Sequence, residues 1–307
     1  MPERGAEIAA IGLVGLGNMG GRIARRIHAA GLSLTGFDAD AGKARESGVP
    51  AADSLAALVA ESDAVFLSLP DSRVVEAVVY GDGGLLENVA AGSVVVDLST
   101  ADPESTRKIH ADLAAKRAEF LDAGISGGAA AAEKGTLTIM AGGSTEALQR
   151  VAPVFDAFSE NVFHMGDSGA GHVTKLLNNF LNGVNLSAGA EVMVAAKKAG
   201  LDLHQFLDVV NRSSGVNFAT LNRFPRIIEG DYLEGGLTSN LMAKDIQLYL
   251  GLMQSLELTS FSGPPCLGTY HLANALGYGE QISNRVVDAI GDVAGGVRVQ
   301  ADDQEDR

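Results

Sequence analysis

The chain has 307 residues, 46% hydrophobic content and a formal net charge of −15, a length that favours two domains. The acidic balance argues against a nucleic-acid partner, because binding to phosphates needs a basic surface, and the single Cys266 excludes an internal disulfide framework. No apolar run is long enough to span a membrane and the N-terminus resembles neither a secretory nor a transit peptide, so we expect a soluble, cytoplasmic protein with no membrane partner.

The first apolar run, at residues 9–14, leads directly into a glycine-rich turn that precedes a helix expected over 21–30. This is the G-x-G-x-x-G fingerprint with a strand before it and a helix after it, the context that dinucleotide binding requires. In such turns the first glycine permits the tight bend, the second lets a pyrophosphate approach the backbone, and the third lets helix and strand pack closely. We therefore predict a cofactor-binding glycine loop composed of Gly15, Leu16, Gly17, Asn18, Met19 and Gly20.

An acidic residue follows the second predicted strand, which covers residues 32–37 and ends on Asp38. At this place an acid accepts hydrogen bonds from the ribose hydroxyls and repels a 2′-phosphate, and no arginine follows at once. The pattern favours NAD over NADP. The alternative is that Asp38 is a simple turn aspartate.

Strands and helices continue to alternate up to about residue 166. Further strands are expected at 64–69, 94–98, 120–122, 136–141 and 161–165, with helices at 54–60, 74–79, from 103 onward and at 146–158. This alternation predicts an α/β domain over 1–166, a Rossmann-type doubly wound parallel sheet. Ligands bind at the carboxyl ends of strands in such sheets, which nominates Leu69, Pro70 and Thr100 as the cofactor wall.

The segment Ser126-Gly127-Gly128 follows a predicted strand. Successive backbone N–H groups and a hydroxyl form a plausible cradle for a carboxylate. Spacing alone favours the alternative, a flexible loop over residues 126–135.

From about residue 167 helical patterns dominate. Helices are expected at 171–198, 203–212, 241–256, 266–276 and 282–292. We predict an all-α C-terminal domain over 167–295, followed by a polar tail at 296–307 that is disordered.

The first of these helices has an uncharged polar face opposite an apolar stripe. Lys175 lies on that face with Asn179 one turn further on, among other amides and glycines, where an ordinary solvated face would carry Glu and Lys. This indicates a docking face for a polar ligand; the alternative is an amide-rich packing surface. Lys244 could reach a phosphate or the nicotinamide edge, or be a surface cation beside Asp245. The histidines lack metal-ligand spacing, so no metal site is predicted.

With these motifs assembled, the chain resembles the β-hydroxyacid dehydrogenases, the 3-hydroxyisobutyrate dehydrogenase family, from about residue 11 to 290. The matching stretches begin at Gly15, Asp97, Leu121, Gly135, Gly169 and Leu241. The resemblance implies NAD-dependent interconversion of a small 3-hydroxy carboxylate and its semialdehyde, and a homodimer or homotetramer formed through the helical domain. It also implies roles for individual residues: Lys175 in catalysis, Ser126, Gly127, Gly128 and Asn179 in substrate binding, and Lys244 in cofactor binding.

Three departures from the family pattern concern Arg22, Gly124 and Leu237, where the family commonly has proline, proline and an aromatic residue. They put the substrate rather than the reaction type in question. A tartronate semialdehyde reductase is the nearest alternative. An imine reductase and a non-catalytic NAD-binding module are more remote, because both generally lack the lysine.

Overall fold

The computed structural model describes residues 7–300. Its internal contacts divide the chain into two compact units, one ending at Lys175 and the other beginning at Leu176. The division falls inside a long helix, whereas the sequence pattern put the domain boundary at residue 166.

The first unit is built on a seven-stranded sheet of order β2-β1-β3-β4-β5-β6-β7, in which every neighbouring pair is parallel except β5 and β6. The strands are β1 Ile11–Val14, β2 Leu34–Phe37, β3 Ala64–Leu67, β4 Val94–Asp97, β5 Glu119–Ser126, β6 Leu137–Gly142 and β7 Ser159–Gly166. The predicted Rossmann-type doubly wound fold is confirmed.

Eight helices connect these strands within the described residues. They are α1 Gly20–Ala29, α2 Ala41–Glu46, α3 Leu55–Glu61, α4 Ser72–Tyr80, α5 Leu85–Asn88, α6 Pro103–Ala115, α7 Gly128–Lys134 and α8 Thr145–Phe155. Several begin at a side chain that accepts a hydrogen bond from a first-turn N–H, as Ser54, Asp71, Asp102 and Ser144 do. Such caps explain why these helices start where they do.

Two hydrophobic cores belong to this unit. Every residue of β1, β3 and β4 is buried, as expected for parallel strands that are covered by helices on both faces. One core includes Ile23, Phe66 and Phe155, and the other includes Leu58, Val75 and Phe120. Because β1 lies between β2 and β3, its carboxyl end is a switch point in the strand order, where open α/β sheets bind ligands.

The direction of β6 differs from the all-parallel prediction. Only the turn at Gly127, helix α7 and the residues up to Thr136 separate β5 from β6. A parallel crossover needs a dozen or more residues, so this shorter connection returns the chain antiparallel. Helix α7 also replaces much of the loop that was expected over 126–135.

The remaining α-helices are α9 Ala170–Lys198, which begins in the first unit, α10 Leu203–Asn211, α11 Phe218–Asn222, α12 Phe224–Ile227, α13 Ser239–Ser255, α14 Gly263–Ala273 and α15 Val286–Val293. A π-helical turn follows α14 at Asn274–Tyr278, and a 3-10 turn precedes α15 at Ser283–Arg285. Apart from one isolated bridge between Thr238 and Ile282, residues 176–300 form no strand. The core of the second unit includes Leu186, Phe224, Ile246 and Tyr270. This helical architecture agrees with the prediction.

The end of the described chain corrects one expectation. Val299 is buried in the helical core and Val297 packs against it, so residues 297–300 are not part of a disordered tail. Residues 301–307, the rest of that predicted tail, lie outside the described residues. None of the helices within residues 7–300 has the length and apolarity to cross a membrane.

Candidate active site

The glycine loop has the geometry of a phosphate cradle. Gly15 has φ +91°, and a Cβ there would lie 2.3 Å from the carbonyl oxygen of Ser68, so only glycine fits. A Cβ at Gly20 would meet the carbonyl oxygen of Gly15, whereas Gly17 faces open space. Helix α1, which follows, has no side-chain cap at its N-terminus. The open face of Gly17 and the exposed helix start fit a dinucleotide pyrophosphate.

Asp38 follows β2 and holds the glycine loop. One carboxylate oxygen accepts the N–H of Leu16 at 2.7 Å, and the other accepts the N–H of Asp40 at 2.9 Å. Asp38 therefore has the turn role that the sequence offered as an alternative. A carboxylate has about four lone-pair positions, so ribose hydroxyls can still donate to it. The role in cofactor selection stays a prediction.

The predicted cofactor wall lies at the carboxyl ends of β3, which is next to β1 in the sheet, and of β4, which is next to β3. The Leu69 N–H donates to the hydroxyl of Ser99 at 3.0 Å, and the Ser99 N–H donates to Asp97 at 2.9 Å. These bonds tie the two strand ends together. Pro70 is exposed and Thr100 half-buried, so both can face a ligand at this edge.

Ser126, Gly127 and Gly128 form the junction between β5 and α7. Ser126 is the last residue of the strand, and the two glycines have φ of +125° and +69°, which side chains disfavour. Helix α7 has no side-chain cap at its N-terminus. The segment is thus a defined strand–turn–helix rather than a flexible loop, and its role in carboxylate binding stays a prediction.

Arg22 links the glycine loop to α7. Its guanidinium donates to the carbonyl oxygen of Asn18 at 2.6 Å and lies 3.3 Å from the carboxylate of Glu133. Because Glu133 lies beside the guanidinium, the positive charge of Arg22 is shared between the glycine loop and α7.

A buried carboxylate, which sequence reasoning missed as a site residue, holds the start of α9. Asp122 on β5 is buried and accepts the N–H groups of Gly169 at 2.7 Å and of His172 at 2.8 Å. A negative charge is stabilised at a helix N-terminus by the free N–H groups and the helix dipole. The signal was present in the sequence as an acid inside an apolar strand.

His172 is part of the same buried cluster. Its Nδ1 lies 2.7 Å from the Thr106 hydroxyl, and its Nε2 lies 3.3 Å from the carbonyl oxygen of Asp97. The histidine is a hydrogen-bonded core residue. It connects α9 to α6 and β4 and so helps to fix the orientation of the helix.

Lys175 lies in the second turn of α9 and is only 9% exposed. A Cβ built on Gly124 of β5 would be 2.6 Å from the lysine Cβ and 3.0 Å from its Cγ. Real Cβ atoms do not approach so closely. The glycine that departs from the family pattern therefore makes room for the stem of Lys175.

Asn179, one turn after Lys175, is 3% exposed and is held by a residue that sequence reasoning treated only as a partner of Lys244. Its amide nitrogen donates to Asp245 Oδ2 at 2.5 Å. The other oxygen of Asp245 lies 3.0 Å from the Lys244 ammonium. Because Asp245 takes an N–H of the amide, the orientation of the Asn179 side chain is defined. Lys244 is half-buried and paired with Asp245, and its contact with the cofactor stays a prediction.

Leu237, at the position where the family often has an aromatic residue, packs against the helical core. Its carbonyl oxygen accepts the N–H of Ser283 at 2.8 Å. A smaller side chain at this point leaves more room beside the start of α13 than an aromatic ring would.

A doubly wound sheet with a phosphate cradle at its switch point, followed by a helical unit, defines an NAD(P)-dependent oxidoreductase. Residues 10–166 match the family model described as the NAD binding domain of 6-phosphogluconate dehydrogenase. Residues 169–290 match the model described as NAD-binding of NADP-dependent 3-hydroxyisobutyrate dehydrogenase. The chain belongs to the 3-hydroxyisobutyrate dehydrogenase family of oxidoreductases that act on CH–OH groups, as its motifs indicated.

Similar proteins match over most of their length. The NAD-dependent L-serine dehydrogenase of Pseudomonas aeruginosa is 39% identical, over 88% of this chain and 94% of its own. The 2-(hydroxymethyl)glutarate dehydrogenase of Eubacterium barkeri is 36% identical, over 78% of this chain and 81% of its own. The structure of Mycobacterium tuberculosis 3-hydroxyisobutyrate dehydrogenase with L-serine superposes with a TM-score of 0.83 at 28% identity, over 91% of this chain and 98% of that one.

Proposed function

We propose that this protein is an NAD-dependent dehydrogenase that interconverts a small 3-hydroxy carboxylate and its semialdehyde, with Lys175 as the proton-transferring residue. The observation that carries the proposal is the buried lysine beside Gly124, on the helix whose start is fixed by Asp122. A lysine amine held out of water on a rigid element is suited to proton transfer, because the neutral amine accepts a proton and the ammonium returns it.

The substrates named for three relatives share one chemical unit. 3-Hydroxyisobutyrate, L-serine and 2-(hydroxymethyl)glutarate each have a hydroxymethyl group on the carbon that bears a carboxylate, and they differ in the third substituent of that carbon. We infer that this chain acts on the shared unit. The third substituent is what distinguishes these three substrates.

A bound nicotinamide cofactor supplies the hydride acceptor for oxidation and the donor for reduction. In the direction of oxidation, Lys175 Nζ takes the proton of the substrate hydroxyl, and in the direction of reduction it returns that proton to the carbonyl oxygen. Asn179 hydrogen-bonds the reacting end of the substrate, and the Ser126–Gly128 backbone and the Ser126 hydroxyl hold the carboxylate. These contacts orient the substrate, which is the protein's main contribution to the rate.

Two further roles belong to this proposal. Asp38 selects NAD, because its carboxylate repels a 2′-phosphate. The protein also forms a homodimer or homotetramer through its helical unit. An exposed apolar side of α9, with Leu177 43% exposed and Leu181 58% exposed, supports this assembly.

The proposal is tested with a steady-state panel of 3-hydroxyisobutyrate, L-serine and 2-(hydroxymethyl)glutarate, each with NAD and with NADP. Tartronate semialdehyde with NADH represents the alternative reductase. We expect NAD-dependent oxidation of at least one hydroxy acid. A higher kcat/KM with NADP would contradict the role of Asp38, and turnover of tartronate semialdehyde alone would favour the alternative.

The role of Lys175 is tested in the same assay with Lys175→Ala, and with Lys116→Ala, an exposed lysine, as the matched control. Loss of general acid–base catalysis lowers kcat by about 10²–10⁴-fold, while NADH binding followed by fluorescence persists. If Lys175→Ala binds NADH and turns over at close to the wild-type rate, Lys175 is not the proton-transferring residue.

A further inference from the structure

Arg223 lies between α11 and α12 and is bound by two amides. Its Nη1 donates to the side-chain oxygen of Asn284 at 2.9 Å, and its Nη2 donates to that of Asn182 at 2.8 Å. Both acceptors are neutral. These are the hydrogen bonds that the guanidinium makes within residues 7–300, and they use two of its five N–H donors. The other donors are left for a ligand.

The charge of Arg223 lacks a carboxylate partner among the described residues. In residues 176–300 each of the other arginines forms an ion pair with an acid, namely Arg212 with Asp208, Arg226 with Asp231, Arg285 with Asp288 and Arg298 with Asp292. Arg223 forms none there, although the chain contains 38 acidic residues and 23 lysines and arginines. Burial lowers the pKa of the Arg223 guanidinium, as expected for a cation withdrawn from water.

An unpaired, largely buried cation is costly, because desolvation is not offset by an opposite charge. The two asparagines hold the guanidinium in place without neutralising it. A cation that is fixed in position and left charged is suited to receive an anion from outside the chain.

Asn182 connects this guanidinium to the proposed substrate face. It follows Asn179 by three residues on α9, about 4.5 Å further along the axis and on the same side of the helix. Arg223 is therefore anchored one turn beyond the amide that is proposed to hold the reacting end of the substrate.

We propose that Arg223 binds a second carboxylate at the far end of the substrate, so that the preferred substrates are short dicarboxylates with a hydroxymethyl group. This inference rests on the proposed function, since it places the substrate beside Asn179. A planar guanidinium with free donors matches the two oxygens of a carboxylate. The exposed ring of Phe218, 5.8 Å from Arg223, flanks the cation.

The first test compares kcat/KM for 2-(hydroxymethyl)glutarate with that for 3-hydroxyisobutyrate, which lacks the second carboxylate. The wild type should prefer the dicarboxylate, and Arg223→Gln should lower the ratio of the two kcat/KM values more than tenfold, mainly through KM for the dicarboxylate. Arg223→Lys keeps the positive charge but not the paired N–H donors of the guanidinium, so its ratio of kcat/KM values should be intermediate. Arg226→Gln removes a nearby exposed guanidinium and should leave the ratio unchanged.

The second test does not depend on turnover. Calorimetry measures the binding of glutarate and of butyrate to the NADH-loaded protein, with melting temperature as the check on folding. Glutarate should bind the wild type more tightly than butyrate does, and Arg223→Gln should abolish that difference.

The two proposals fail separately. If a hydroxy acid is oxidised but the substrate ratio and the glutarate preference are the same in Arg223→Gln as in the wild type, the role of Arg223 is wrong and the dehydrogenase stands. If no hydroxy acid is oxidised while glutarate binding still depends on Arg223, the anion site stands and the proposed reaction is wrong.

Discussion

Gly124 is the residue whose missing side chain decides where Lys175 lies. In Gly124→Ala the new Cβ would be 2.6 Å from the lysine Cβ, and both atoms are attached directly to backbone, so a strand or a helix must move. We expect a loss of about 1–3 kcal/mol in the free energy of unfolding, as for other overpacked sites. Displacement of the lysine should lower kcat by about 10²-fold. Urea denaturation and steady-state assays measure the two effects.

Gly251 provides the matched control for that change. It lies in the interior of α13, is exposed, and a Cβ there would meet no atom within 4 Å. Gly251→Ala should therefore stabilise the protein by about 0.5–1 kcal/mol, because alanine loses less backbone entropy in a helix. If both substitutions destabilise the protein equally, the short distance between Gly124 and Lys175 is not what excludes a side chain at residue 124.

The site residues differ in how visible they were in the sequence. The shape of the glycine loop and the place of Asp38 after β2 were predictable, because a tight strand–turn–helix demands particular residues at fixed spacings, and their roles toward a cofactor stay predictions. Asp122 and Asp245 were not predictable, because each acts on a partner far along the chain, Asp122 on Gly169 and Asp245 on Asn179. Only the fold determines such pairs.

The start of α9 depends on the Asp122 carboxylate, because its two oxygens accept from two different N–H groups, those of Gly169 and His172. Asp122→Asn keeps one acceptor oxygen and turns an N–H₂ group toward the other donor. A buried N–H group without an acceptor costs about 1–3 kcal/mol. We expect a loss of that size in the free energy of unfolding, measured by urea denaturation, and a lower kcat because α9 carries Lys175.

Asp202 is the control for this element. It caps α10 with a single bond to the N–H of Gln205 at 2.7 Å. Asparagine caps helices about as well as aspartate, so Asp202→Asn should change the free energy of unfolding by less than about 0.5 kcal/mol. If Asp122→Asn were equally mild, the buried carboxylate would not be what holds α9.

The sequence mispredicted α7 and the direction of β6, because no residue pattern marks either of them. Helix α7 consists largely of alanines after two glycines, and it has too few apolar and polar alternations to show a period. The reversal of β6 follows from the length of that connection and not from the residues of β6 itself. Strand residues that are buried on both faces carry no sign of their direction.

For the whole chain, the order of elements was sufficient to predict two units of different architecture. Alternating strands and helices lead to a doubly wound sheet, and the later helical patterns cannot add strands to it. The division of internal contacts lies at Lys175 and not at residue 166, because α9 continues through it and no composition change marks Lys175. In our proposals substrate identity depends on single side chains such as Arg223, which no pattern of elements specifies.

In our proposal, one side of α9 forms the interface through which the whole molecule assembles into a dimer or tetramer. Leu177, Leu181 and Val192 are exposed and are spaced by four and eleven residues, which places them along one side of the helix. A stable interface buries about 1,200–2,000 Å², and a charge at its centre is left without water or a partner. Leu181→Glu should therefore convert a dimer or tetramer into smaller species at micromolar concentration, as measured by light scattering after size-exclusion chromatography.

Val293→Glu is the control, because Val293 is 62% exposed on α15 against 58% for Leu181. A single exposed apolar residue is ordinary for a protein surface, so this change should leave the mass unaltered. A monomeric wild type would contradict the assembly itself. If the oligomer tolerates Leu181→Glu but dissociates with Val293→Glu, the interface lies at α15, at the end of the helical unit, and not on α9.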